Sequence, residues 1–269
     1  MRAALSSIQS SMESSTRFFI LLAVALASAF GAGVDSSPIA PSITTAPLSV
    51  DQVVDNLVRK DFERAQALRH FESTRVYRLS YRGFPGDRQA EMTVEATYDS
   101  PSTKSFKVIS QTGSKLIIER VFTRLLESEK EATEPEMHAR TLLNRDNYDM
   151  ALIGYESPSA NSLNHDSQYV LAVYPKTKSK YLYRGKVWVD GSDFAVTRIE
   201  AEPAQNPSFW TKKNEIRHEY IKVQDFWLPR RNESISYIRL GGRATLTIEY
   251  DNYRVTAVRT ASSAKAGAR

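Results

Sequence analysis

The sequence predicts an α+β protein that is mostly antiparallel β: a curled sheet of about ten or eleven strands, one N-terminal helix and one internal helical segment. Three observations lead there. One strongly amphipathic stretch recurs at helical spacing, residues beyond 181 repeat strand, turn, strand, and no repeat longer than a hairpin is visible. The 269 residues suffice for one large all-β unit or two small domains. A composition of 41% hydrophobic and 25% charged residues excludes collagen-like and wholly disordered chains. With no Cys, a disulfide scaffold and thiol chemistry are also excluded. The formal charge of +5 permits attraction to anionic surfaces without requiring it.

Residues 1–29 read as a cleaved secretory signal. Arg17 precedes the apolar run Phe18 to Leu26, and Ala27-Ser28-Ala29 offers small residues for a signal peptidase near Ala29. The run is short for a membrane span, which takes roughly 20 apolar residues. Met12 stands as an alternative start. A location outside the cytoplasm is therefore expected, and without a Cys at the cleavage site no lipid anchor is expected. Residues 30–48, with Pro38, Pro41 and Pro47 among Ser and Thr, read as a linker.

Ser49 and Gln52 form a capping-box pattern ahead of Val50, Val53, Val54, Leu57, Val58, Phe62, Ala65 and Leu68, so one amphipathic helix is expected to lay this stripe on the sheet. Next, Tyr77, Leu79 and Tyr81 alternate with polar neighbours, as do Ala90, Met92, Val94, Ala96 and Tyr98, with turn residues 83–87 between them. That is a hairpin. A third strand follows Pro101. Residues 114–133 return to helical spacing, and the acidic end Glu127, Glu129, Glu131 opposes the helix macrodipole, so fraying is expected there. Strands resume at 148–155 and at 169–174; the latter is apolar on both faces, as a central, doubly covered strand would be. From Tyr181 the pattern gives strands over 181–189, 194–201 and 211–223, then Phe226-Trp227-Leu228-Pro229, then strands over 230–240 and 244–255, with turns at 190–193 and at Gly241-Gly242.

Catalytic signatures are sparse. His70, His138, His165 and His218 lack metal-ligand spacing, and His218 and Glu219 should point to opposite faces of their strand. No cofactor and no metal are expected, nor is an enzymatic activity, although a carboxylate pair meeting only in space would not show in the sequence. Lys176, Lys178 and Lys180, with Arg184, Lys186, Lys212, Lys213 and Arg217 adjoining, read first as a solvated or edge-strand surface. The sharper reading of the three lysines is contact with an anionic membrane surface. Nucleic acid is not expected as a partner.

Aromatic residues crowd the strands, and a curled sheet of this width offers more concave apolar area than one or two helices cover. An acyl chain suits the remainder, since each buried CH2 contributes about 0.8 kcal/mol. The candidate lining comprises Tyr77, Leu79, Tyr81, Met92, Val94, Trp188, Ile199 and Trp210. Which face of each strand is concave is the point on which this set turns, because a register error of one residue inverts it.

The stretch Tyr174-Pro175-Lys176 with Tyr181 through Asp190 resembles the LolA-like outer-membrane lipoprotein-sorting family. Phe194 through Glu200, Pro207-Ser208-Phe209-Trp210 and Phe226-Trp227-Leu228-Pro229 continue the likeness over most of residues 49–255. The resemblance implies an unclosed half-barrel over residues 49–258 with a flexible tail at 259–269. It also implies helices covering the concave face and a cavity that takes lipoprotein acyl chains or lipid in the periplasm. The related RseB-type sensor implies an alternative, a regulatory or structural interaction module. The chain departs from the small carriers by the segment Ser114 to His165, which could be a lid or could fill the cavity, and no individual binding residue is carried over.

Overall fold

The computed structural model describes residues 47–101, 103–131, 139–156, 167–179, 181–206, 209, 211–239 and 241–257. The expected signal peptide, most of the linker, the tail, His138, His165, Lys180 and Trp210 lie outside the described residues.

Helix α1 spans Val50–Ala67. Its capping box is formed as the sequence predicts: the Gln52 amide donates to Ser49 Oγ at 3.3 Å and the Ser49 amide donates to Gln52 Oε1 at 2.9 Å. Asp51 in the first turn and Arg64 in the last complement the dipole. Without a loop the chain enters β1, Leu68–Gly83, then β2, Arg88–Asp99, and β3, Thr103–Gly113. Residues 115–131 form a composite helix, α2, with α-helical turns at Lys115–Ile117 and Thr123–Glu131 on either side of a π-helical turn at Ile118–Phe122. Strands β4 to β10 follow at Tyr148–Glu156, Gln168–Pro175, Tyr183–Asp190, Val196–Pro203, Thr211–Val223, Phe226–Ile238 and Gly242–Ala257.

All ten strands form one antiparallel sheet in the order β3-β2-β1-β10-β9-β8-β7-β6-β5-β4. The last strand pairs with the first, so the opening meander is appended beside the closing one, while β3 and β4 remain as the two edges of an unclosed half-barrel. The expected two-residue periodicity holds along most strands: β7, for example, alternates partly buried and buried positions through its whole length.

Two apolar clusters fill the covered face. One joins Val53, Val54 and Leu57 of α1 to β4 through β8, including Leu171, Val187, Ile199 and Ile216. The other joins Ile117, Phe122 and Leu125 of α2 to β1, β2 and β10.

Three expectations need correction. The doubly covered strand β5 is second from the edge instead of central. Its outer face is covered because Val170 pairs across from Trp188, a side chain large enough to shield a neighbour near an edge. The α1 stripe is narrower than its hydropathy suggests: Val58 is 40% and Phe62 63% exposed. These two lie on a shoulder of the helix, turned away from the buried Val53–Leu57 line by the 3.6-residue period. Finally, the acidic end of α2 is anchored, because Glu129 is buried against a cation of the sheet.

Candidate functional site

Strand register places one side chain from every strand in a single row across the covered face. The row runs Leu152, Leu171, Val187, Ile199, His218, Asn232, Ile248, Tyr77, Met92, Gln111 from β4 to β3. Because neighbours in register project to the same side, these residues share one surface. It is apolar from β4 to β7, polar at β8 and β9, and apolar again from β10 to β2.

The polar interruption extends along β9. Asn232, Ser234 and Ser236 occupy successive inward positions, facing Ile248, Leu246 and Ala244 on one side and His218, Ile216 and Asn214 on the other. Asn214 is 1% exposed, and both serine hydroxyls donate to its Oδ1, from Ser234 at 3.1 Å and from Ser236 at 3.2 Å. Its Nδ2 has no partner among the described residues. Asn232 donates to the Tyr250 hydroxyl at 2.9 Å while its Oδ1 is also unpartnered. His218 is buried, and burial lowers its imidazole pKa from the ordinary 6.5 to about 4, so the ring is neutral at physiological pH. The predicted split of His218 and Glu219 to opposite faces is seen, with the histidine buried and the glutamate half-buried on the outer side.

The covers of the two apolar compartments are fastened differently. Helix α1 is held at both ends: Arg145 pairs with Asp51 and Asp55, and Arg64 donates to the carbonyls of Asp193 and Phe194 at 2.9 and 3.2 Å. Trp227 and Lys222 in turn hold the Asp193 carboxylate at 2.8 and 2.5 Å. Helix α2 is held from beneath. Glu129 accepts from Arg75 at 2.5 Å and from the Tyr77 hydroxyl at 2.9 Å, with the Lys104 ammonium 3.8 Å away. The Arg75 guanidinium lies between the Phe106 and Tyr250 rings, 5.3 and 5.1 Å from their centroids. Burial alone would raise the Glu129 carboxyl, but Arg75 and Lys104 outweigh it and keep it below its ordinary value.

The candidate lining residues divide by compartment. Tyr77, Leu79, Met92 and Val94 are buried under α2, with Tyr81 partly buried at the margin of the same cluster. Ile199 lies in the α1 cluster. Trp188 faces the other side of the sheet, where its indole donates to Glu156 at 2.9 Å and Arg198 stacks 3.7 Å above the ring. The run Val187-Trp188-Val189 is apolar throughout, so alternation could not distinguish its faces.

The expected basic patch is largely compensated. Lys176 lies 3.6 Å from Asp149, Arg184 3.3 Å from Glu202, Lys213 2.6 Å from Glu215 and Arg217 3.0 Å from Glu200, while Lys178 is exposed in the β5–β6 loop. A separate cleft of about 480 Å³ opens at the β1–β2–β10 bulge. It is bordered by Glu72, Thr74, Glu95, Thr97, Asn252 and Arg254. Its polar groups largely satisfy one another, through Glu72 with Arg254 and Asn252 with Thr74. Among the described residues no cluster of His, Asp and Glu is arranged to hold a metal ion.

Sequence reasoning missed the polar seam and the buried Arg75–Glu129 pair. The seam carried a signal, three polar residues at alternate positions in β9. Yet Ile235 and Tyr237 occupy the intervening positions, so hydropathy alone would turn that strand inside out. The pair had none, being 54 residues apart.

No family profile and no curated protein sequence matches the chain. Among solved structures it is similar to a DUF1329 family protein from Desulfovibrio piger, at 16% identity and a TM-score of 0.37, covering 79% of this chain and 95% of that one. It is also similar to an outer membrane lipoprotein-sorting protein domain from Vibrio parahaemolyticus, at 11% identity and a TM-score of 0.38, covering 79% and 96%. A LolA superfamily protein from Nitrosomonas europaea matches at 10% identity and a TM-score of 0.33, again covering 79% and 96%.

Proposed function

We propose that the chain is a non-enzymatic periplasmic binder or carrier of lipid, taking the acyl chains of a lipid or lipoprotein against the concave face of the half-barrel. The observation that carries the proposal is the ten-strand row: an inward surface across an unclosed sheet, apolar from β4 to β7 and again from β10 to β2, with a separate helix covering each apolar part. Such a surface suits hydrocarbon. A chain of about fourteen carbons offers on the order of 10 kcal/mol gross before association costs. Tyr77, Leu79, Tyr81, Met92, Val94 and Ile199 form its lining in this reading, with α2 moving aside as a lid. Helix α2 suits that part because it follows Gly113, at φ +91°, contains a π-helical turn, and is tied down by one buried cluster, whereas α1 is clamped at both ends. Lys178 supplies the contact with an anionic membrane surface, since Lys176 is engaged by Asp149 and by the Arg145 carbonyl.

A second reading, a sensor or structural module with a self-filled interior, is favoured by the close covering of Tyr77, Met92, Phe122 and Leu125, each at most 1% exposed. One experiment separates the two. Protein purified from a membrane-containing host is extracted for lipid, and the delipidated protein is titrated with a fluorescent fatty acid. Co-purified acyl lipid and saturable uptake support the carrier. Empty extracts together with no uptake leave the self-filled module.

A further inference from the structure

The polar seam lies where a continuous hydrocarbon-binding floor would be expected to stay apolar, and it is built rather than incidental. Its five side chains come from two adjacent strands: Asn232, Ser234 and Ser236 occupy consecutive inward positions on β9, and Asn214 and His218 lie on β8 on either side of Ile216. Strand β9 contributes no residue to either apolar cluster, so the seam separates the α1 compartment from the α2 compartment.

Its hydrogen bonding is incomplete in a specific way. Asn214 is almost wholly buried with both serine hydroxyls converging on one end of its amide, which leaves the other end without a partner. Turning the amide over exchanges an unpartnered donor for an unpartnered acceptor; one end is orphaned either way. Across β9, Asn232 uses its donor on Tyr250 and leaves its acceptor open. Buried polar atoms left in this state are costly, and a ligand group that reaches them recovers that cost.

The seam carries no formal charge, and the nearest buried ion pair, Arg75 with Glu129, is closed on itself. A carboxylate or phosphate would therefore be poorly matched there. We infer that the seam seats the uncharged linkage region of an ester- or amide-linked acyl lipid, with hydrocarbon running into the apolar compartments on either side. The ligand class is thus a neutral glycerolipid-like linkage that offers both a carbonyl acceptor and a hydroxyl or amide donor. A bare hydrocarbon or a free fatty acid can enter the apolar compartments but leaves the open amide groups of the seam unsatisfied. This inference rests on the carrier reading and adds the part of the lipid that is recognised.

The test compares dioctanoylglycerol with its dioctyl ether analogue, which keeps the hydroxyl and the chains but lacks the ester carbonyls. Each competes against a bound fluorescent acyl probe. The ester should bind about tenfold more tightly than the ether to the natural protein, and Asn214→Leu should remove most of that preference while leaving ether binding in place. Ser236→Ala, a milder change, should reduce the preference part way and keeps the test decisive if the leucine variant does not fold. Equal binding of ester and ether to the natural protein would overturn the inference, assigning the seam to ordered water, while leaving the carrier reading intact. Failure of both ligands and of the probe would overturn the carrier reading itself.

Discussion

The tie between α2 and the sheet offers the sharpest quantitative prediction. Arg75 and Glu129 are each only 5% exposed at the side chain, and Glu129 also accepts from Tyr77. Removing one partner leaves an uncompensated charge in a dry cluster of Phe106, Tyr250 and Tyr77. Glu129→Leu or Arg75→Met should each therefore cost about 3–5 kcal/mol. Replacing both at once removes the charge along with its partner. The double variant should fall within about 1 kcal/mol of the natural protein or exceed its stability. With a urea slope near 3 kcal/mol per M, the single variants should lower the unfolding midpoint by about 1–1.7 M, read by tyrosine and tryptophan fluorescence. The pH dependence follows the same tie. Glu129 is held below the ordinary carboxyl value of 4.5, so its contribution is present above that pH and is lost as pH falls through the folded-state value. Single variants that unfold with the natural midpoint, or a double variant as weak as the singles, would show that the pair does not fasten α2.

Other consequences follow from individual side chains. His218 is neutral in the fold down to a pKa of about 4 and takes a proton near 6.5 when unfolded, so stability should fall by up to about 3 kcal/mol as pH drops between those values. His218→Leu should flatten that part of the pH–stability curve, and an unchanged slope would contradict the burial argument. Ser49→Ala should cost about 1 kcal/mol by removing the acceptor of the capping box, seen as a lower thermal midpoint; Ser49→Asp should keep most of the natural stability. Gly113→Ala should destabilise by about 1–3 kcal/mol. That glycine sits at φ +91°, and a methyl group would strike the Gln89 carbonyl and lie 2.8 Å from the Ala90 Cα. A neutral result there would mean that the start of α2 can shift at no cost.

Much of the architecture is legible in local pattern because each element answers to a local rule. Ser49 and Gln52 announce the start of α1, turn residues separate the strands, and alternation identifies the buried face of β1 and β2. Thus Tyr77, Leu79, Met92 and Val94 share one apolar cluster, as their alternation implies. What stays hidden depends on neighbours distant in sequence. Val187, Trp188 and Val189 are all apolar, so only the pairing of Trp188 with Arg198 reveals which side the indole occupies. The inward Asn232, Ser234 and Ser236 run against hydropathy, and their orientation is imposed by register with β8 and β10. The acidic end of α2 reads as a fraying terminus until Arg75 is found beneath it. Likewise Val58 and Phe62 complete a helical stripe on paper, yet it is Val53, Val54 and Leu57 that are buried, with Val50 packed at their margin.

The central claim is that the concave face under α2 opens to admit a hydrocarbon guest. Amide hydrogen exchange across residues 115–131, followed in delipidated protein before and after addition of dioctanoylglycerol, tests it most directly. The account predicts faster exchange in α2 on lipid binding, with β1, β2 and β10 remaining protected beneath it. Unchanged exchange in α2 at lipid saturation would mean that the helix is a permanent part of the core and that any guest sits elsewhere.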